Sequence, residues 1–249
     1  MTLMFEISGL VDYVQRSADE LFDRMAAAVK EHDLGVELPW GPDRHGTPWV
    51  IHIPRPGCAV VQATHVYRFD ATDTRDLTRA TVKARKQTWG LLEVLRRVPG
   101  LENVSLTQTG PSIGIRETRH LEGRFRLTHE HLEAGRRFED GIVSCTFGCD
   151  IHEMYPGDTQ SFRCSVERYE VPYRCLLPRE LDGLLFAGRC ISGTHEAHAS
   201  YRVTGTCFGM GQAAGLAASL AAGRGIAPGE VDGPTVRAGL ESRGVRFEW

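Results

Sequence analysis

Side chains able to move protons or to hold anions gather in one short stretch of this sequence. His195, Glu196, His198 and Arg202 lie within eight consecutive residues. An imidazole titrates near neutral pH, so a histidine here can accept a proton from a bound molecule. A guanidinium can hold a carboxylate or an oxyanion. We therefore take His195, His198 and Arg202 as the candidate catalytic residues.

Two interpretations of these side chains stay open. Hydrogen bonds from His198 and Arg202 would brace the segment without any part in chemistry. We favour this bracing role for His198 and leave both roles open for His195. The segment His195-Glu-Ala-His198 is one residue shorter than the His-Glu-x-x-His pattern of helical zinc sites, so we predict no metal site.

A predicted strand and a predicted helix flank this stretch. The apolar run 183–187 predicts a buried strand, which leads through Gly188 and Arg189 into a polar loop. A helix of small residues is predicted over about 206–222. Its first turn would offer unpaired N–H groups and a positive dipole end to an anion or a carbonyl-rich ring. Close packing on a strand, without any ligand, would also explain its glycines, which are Gly205, Gly209, Gly211 and Gly215.

The rest of the chain mixes helical and strand patterns. Apolar residues share one face of predicted helices over 16–30 and 74–97, and a capped helix is predicted over 234–243. Strands are predicted at 49–53, 58–64, 66–69, 104–109, 112–118, 123–127, 142–145 and 162–169. This mixture indicates the α+β class.

Alternating charges mark the predicted strand at 112–118. Arg116, Glu117 and Arg119 would lie along it, and a charged pair on a sheet face is usually structural. The strand could also reach a substrate cavity, which makes Glu117 an alternative proton acceptor. Most other histidines, His120 among them, show no spacing that indicates a function.

The composition excludes several classes of function. Hydrophobic residues make up 41% and charged residues 24% of the 249, as in ordinary globular proteins. The net charge of -3 does not indicate the basic surface that is typical of proteins that bind nucleic acid. The longest run of small apolar residues, 213–222, is too short to cross a bilayer, and the N-terminus does not resemble a signal peptide. We therefore expect a cytoplasmic protein without nucleic-acid or membrane partners, whose seven cysteines are reduced.

Three segments near the C-terminus, taken together, carry a family resemblance. They are Ala187-Gly-Arg-Cys-Ile-Ser192, Thr194-His-Glu-Ala-His198 and Met210-Gly-Gln-Ala-Ala-Gly215. They are similar to the C-terminal motif of FAD-dependent oxidoreductases of the glutathione-reductase-like superfamily. Further similar segments occur in the family order at 2–5, 70–73, 77–80, 99–100, 114–119, 127–128, 150–152 and 169–178.

The resemblance implies a division of the chain. Residues 1–165 would form a substrate (cap) domain with a mixed or antiparallel sheet. Residues 166–225 would form the C-terminal strand–helix portion of a glutathione-reductase-like FAD domain, and residues 226–249 a helical tail.

The resemblance also implies which residues bind the cofactor FAD. Gly188 and Arg189 would run past the ribityl chain of the flavin. The backbone amides at the start of the small-residue helix would face the pyrimidine edge and stabilise negative charge there. These amides belong to Val203, Thr204, Gly205 and Thr206.

One part of the family pattern is absent from this sequence. A strand–Gly-x-Gly-x-x-Gly–helix unit should hold the FAD pyrophosphate. Gly209-Met-Gly211 continues with Gln-Ala-Ala and does not complete that motif. We therefore expect a split, two-component enzyme, in which FAD lies at the interface with a partner subunit that carries the motif.

The expected activity is the oxidation or reduction of a small organic molecule by hydride transfer to or from the flavin. Two alternatives belong to other classes: a non-catalytic regulatory or scaffold subunit, and a stand-alone ligand-binding domain without flavin.

Overall fold

The structure, a computed structural model, describes residues 1–10, 13–15, 17–39, 48–151 and 162–247. These residues form two compact units, one within 1–115 and the other made of 116–151 and 162–247. Arg16, where the first helix was expected to begin, and His152, part of one family-like segment, lie outside the described residues. The domain boundaries at 165 and 225 stay predictions, because a compact unit does not by itself define a cofactor domain.

An antiparallel sheet of four strands organises the first unit. Its strands are β1 Phe5–Ser8, β2 Trp49–His52, β3 Cys58–Gln62 and β4 Ser105–Thr109. Their spatial order is β2-β3-β1-β4. Each neighbouring pair is antiparallel, and the apolar residues Phe5 of β1 and Val61 of β3 pair directly.

Two helices bury their apolar faces in this unit, α1 (Ala18–Glu31) and α2 (Thr74–Leu95). The Ser17 hydroxyl caps α1 by accepting the Glu20 N–H at 3.0 Å, and the Asp73 carboxylate caps α2 in the same way. Apolar side chains of both helices join one core with the sheet residues. Both helix predictions are therefore confirmed, because each helix begins and ends within two residues of the predicted position.

Two short antiparallel pairs and four helices build the second unit. Strand β5 (Gly141–Cys145) pairs with β8 (Tyr169–Pro172), and β6 (Cys149–Ile151) pairs with β7 (Phe162–Cys164). The helices are α3 His129–Glu133, α4 His195–Tyr201, α5 Thr204–Arg224 and α6 Gly233–Glu241. Their apolar residues form one core with the strands, in which three tyrosines are fully buried: Tyr169, Tyr173 and Tyr201. The α+β class is confirmed.

The predicted strand at 183–187 is wrong. This run is irregular, Leu184 is 49% exposed, and the Phe186 N–H donates to the Leu176 carbonyl at 2.9 Å. A strand needs a ladder of such bonds with a neighbouring strand, and no described strand lies beside this run.

Three other strand predictions fail in a similar way. Residues 66–69 are irregular, while 112–118 and 123–127 contribute only isolated bridges at Gly114, Gly123 and Leu127. Alternating polarity can be satisfied by a half-buried extended segment, so it does not require a sheet. Among the described residues, no helix combines the length and apolar character needed to cross a bilayer.

Candidate functional site

The candidate catalytic residues lie on a short helix, α4, where the sequence predicted a loop. The Thr194 hydroxyl caps α4 by accepting the Ala197 N–H at 3.3 Å. Arg202 ends the helix, and α5 begins two residues later at Thr204. The segment is too short to show an apolar periodicity, which explains the error. Because His195 and His198 are three residues apart on a helix, they lie on neighbouring positions of one face.

The carboxylate of Glu117 joins His195 to a second histidine. His195 Nδ1 lies 2.5 Å from Glu117 Oε2, and His120 Nε2 lies 2.7 Å from Glu117 Oε1. A carboxylate can only accept, so each histidine donates a ring N–H to it. For His195 this fixes the Nδ1–H form and leaves Nε2 as the nitrogen that can take a proton. The side chain of His195 is 54% exposed, so Nε2 is accessible.

These contacts shift the acidities of both partners. Burial tends to raise the pKa of Glu117, but the hydrogen bonds from His120 and His195 outweigh it and hold the pKa well below its usual range. The hydrogen bond to Glu117 raises the pKa of His195, and burial opposes this effect. Glu117 is therefore an anion that orients His195 and stabilises its protonated form.

His198 has a different environment. Its side chain is 2% exposed, and burial lowers its pKa to about 4, so the ring is neutral near pH 7. Its Nδ1 lies 3.8 Å from Glu117 Oε2, beyond hydrogen-bond distance. Among the described residues, nothing pairs with its Nε2. The ring packs edge-on against His120 and Tyr201, so packing positions it.

Arg202 contacts strand β6. Its Nη2 donates to the Asp150 backbone oxygen at 2.6 Å and lies 3.3 Å from Asp150 Oδ2. Only 12% of the side chain is exposed. This geometry matches the bracing interpretation, and a role in holding a substrate anion stays a prediction.

The N-terminus of α5 is open, as the sequence predicted. Val203 occupies the N-cap position, but its side chain makes no capping hydrogen bond. Thr204 and Gly205, which follow it, are exposed. A Cβ atom added to Gly205 would meet no heavy atom within 4 Å, and the same holds for Gly211. Thr204 and Gly205 can therefore present their amide groups to a ligand, whereas Thr206 in the same turn is buried.

Gly209 and Gly188 have other structural reasons to be glycine. A Cβ atom on Gly209 would lie 2.7 Å from Val143 Cγ2, so this residue packs against β5. Gly188 has a φ of 93°, which a side chain disfavours. A Cβ there would lie 3.9 Å from Cys207 Sγ, which brings Gly188 beside the first turn of α5. Arg189 follows it and is exposed.

Sequence reasoning missed His120 and misjudged the local structure around Glu117. Both lie in an irregular segment rather than a strand, and no spacing rule connects them to α4. Glu117, His120 and His198 can each offer one ligand atom to a metal ion, and these atoms lie within 4.8 Å of one another.

The comparisons with known proteins agree with the resemblance seen in the sequence. A family model described as FAD dependent oxidoreductase matches residues 1–240. No curated protein and no solved structure gives a significant match.

Proposed function

This chain belongs to the family of FAD-dependent oxidoreductases, and we propose that it is one subunit of a split, two-component flavoenzyme acting on a small organic molecule. The family's cofactor is FAD. The observation that carries the proposal is the open, uncapped first turn of α5, directly after the helix that bears His195.

The residues of this chain fit a flavin. The exposed first turn of α5 presents backbone N–H groups and the positive end of a long helix dipole, which suit a carbonyl-rich ring. The open positions at Gly205 and Gly211 would admit a flat molecule without any clash. We infer that Val203, Thr204, Gly205 and Thr206 hold one edge of the flavin, and that Gly188 and Arg189 bind its ribityl chain.

The Glu117–His195 pair supplies the acid–base group. FAD, when bound, exchanges a hydride with the substrate. Glu117 holds the Nδ1–H of His195, so Nε2 of the same ring accepts the proton that the substrate releases, and the carboxylate stabilises the imidazolium. In the opposite direction the same nitrogen donates the proton. His198 would line the site as an uncharged side chain. Arg202 would hold α4 in place through its hydrogen bond to Asp150.

In dinucleotide-binding folds the residues of a Gly-x-Gly-x-x-Gly unit hold the pyrophosphate, and the 249 residues of this chain contain no such unit. We propose that a partner subunit supplies it. Exposed apolar side chains of the second unit support such a contact: Phe208 of α5 is 76% exposed, and Leu184 is 49% exposed. The irregular run 183–187 belongs to no sheet among the described residues, so we infer that a strand of the partner could pair with it.

Co-expression tests this arrangement. The chain, produced with a Gly-x-Gly-x-x-Gly protein encoded beside it, should elute from gel filtration as one yellow complex. The chain alone should be colourless. Separate elution of the two proteins at micromolar concentration would refute the split arrangement. Stoichiometric FAD on the chain alone would show that the pyrophosphate is held in another way, and FAD only on a longer polypeptide would place both halves in one chain.

A further inference from the structure

Two histidines and one carboxylate converge in the second unit beside the Glu117–His195 pair. The spacing of His195 and His198 predicts no helical zinc site, but we propose that Glu117, His120 and His198, which the fold brings together, form a binding site for one divalent transition-metal ion. Imidazole nitrogens and a carboxylate oxygen are a common ligand set for zinc, iron and cobalt. The proposal concerns these residues alone and does not depend on the flavin.

The distances suit a shared ion. Ligand atoms lie about 2.0–2.2 Å from such metals, so two ligands of one ion are separated by at most about 4.4 Å. His198 Nδ1 and Glu117 Oε2 are 3.8 Å apart, too far for a hydrogen bond but suitable for a common ion. All three ligand atoms lie within 4.8 Å of one another, so side-chain movements below about 1 Å would close the site.

His198 is buried, and its Nδ1 faces the carboxylate of Glu117 at 3.8 Å without a hydrogen bond. Its side chain is 2% exposed, and its Nε2 has no partner among the described residues. Most buried polar side-chain atoms have a partner, and leaving one unpaired costs free energy. Coordination through Nδ1 would give a partner to the nitrogen that faces Glu117, whereas Nε2 would then carry the ring proton and would gain no partner among the described residues.

Outer contacts that fix metal ligands are already in place. His120 Nδ1 lies 3.3 Å from the Tyr201 hydroxyl, and that hydroxyl donates to the Ile191 carbonyl at 3.2 Å. If His120 gives Nε2 to a metal, its proton sits on Nδ1 and is donated to Tyr201, so both groups remain satisfied. His195 Nδ1 donates to Glu117 Oε2 at 2.5 Å, and this hydrogen bond would orient the carboxylate without His195 being a ligand itself. Ligating histidines and carboxylates usually have such partners.

Three protein ligands would leave the ion with open positions. Structural zinc sites normally close with four protein ligands, whereas sites with three keep room for water or for an oxygen atom of another molecule. The ion could therefore bind a hydroxyl, carbonyl or carboxylate oxygen near His195. Such a site would therefore differ from a structural zinc site, in which four protein ligands leave no open position.

Equilibrium dialysis with Co²⁺ tests the site on the full chain, with any partner that copurifies, after treatment with a chelator. We expect about one ion per chain, by analogy with three-ligand sites. His120→Ala and Glu117→Gln should each weaken Co²⁺ binding by about tenfold or more, since even outer-shell changes cost 10–100-fold. His32→Ala is the matched control, because His32 is exposed at the end of α1.

His198→Ala removes a buried ring and risks unfolding, so His120→Ala and Glu117→Gln decide the outcome. Circular dichroism should show that both variants keep the fold. Co²⁺ binding that is as tight in these folded variants as in the wild type would overturn the proposal. An unmodified chain that binds no Co²⁺ would also overturn it. Neither result would bear on FAD binding.

Discussion

Gly205 and Gly209 lie four residues apart on α5, yet the structure gives them opposite surroundings. A Cβ on Gly209 would lie 2.7 Å from Val143 Cγ2 and 3.3 Å from its Cβ. Overpacking of this kind costs about 1–3 kcal/mol, and the better helix propensity of alanine returns about 0.5–1 kcal/mol. The midpoints of these two ranges differ by about 1 kcal/mol, so we expect Gly209→Ala to lower Tm by about 2–4 °C in a protein of this size.

Gly205 should behave differently, because an added Cβ there meets no heavy atom within 4 Å. Gly205→Leu should leave Tm near the wild-type value but lower the flavin content, since its side chain would obstruct the open first turn of α5. Gly223→Leu is the matched control: Gly223 is equally open, but it lies at the far end of the same helix.

The assay combines thermal unfolding with the visible absorption of FAD after gel filtration of the complex. A Gly205→Leu protein that retains wild-type FAD would show that the first turn of α5 does not hold the cofactor. A Gly209→Ala protein with an unchanged Tm would show that the contact between α5 and β5 is looser than the structure indicates.

Three further variants test the proposed proton acceptor, the contact that braces α4 and the interface with the partner. His195→Ala should keep its flavin but slow flavin reduction by substrate in stopped flow by about 10²-fold or more; a full rate would leave His195 a structural residue. Arg202→Ala removes the charged group that donates to the backbone oxygen of Asp150, so Tm should fall by an amount that corresponds to the loss of such a hydrogen bond, about 1.5–3 kcal/mol. Phe208→Asp should weaken the complex with the partner on gel filtration, whereas unchanged elution would place the interface elsewhere.

The helices of the first unit were predictable because the residues that determine each helix lie close together in the sequence. Ser17 and Asp73 cap α1 and α2, and the apolar stripe of each helix repeats at helical spacing. The open start of α5 was predictable for the same reason, since glycine and small residues follow Val203 directly in the sequence.

The Glu117–His195 contact could not be predicted from spacing. The two residues are 78 positions apart, and Glu117 lies in an irregular segment that no periodic pattern describes. His120 joins them only because it follows Glu117 by three residues in that segment. The run 183–187 was misjudged because apolar character alone does not supply the neighbouring strand that a sheet requires.

Hydrogen exchange at the start of α5 shows whether this turn binds the flavin. In the complex, peptides that cover Val203–Thr206 should exchange more slowly with FAD than after the cofactor is removed, because the flavin would shield these uncapped amides. Peptides from α6 provide the internal reference and should not change. Equal exchange at Val203–Thr206 with and without bound FAD would contradict the proposed role of this turn.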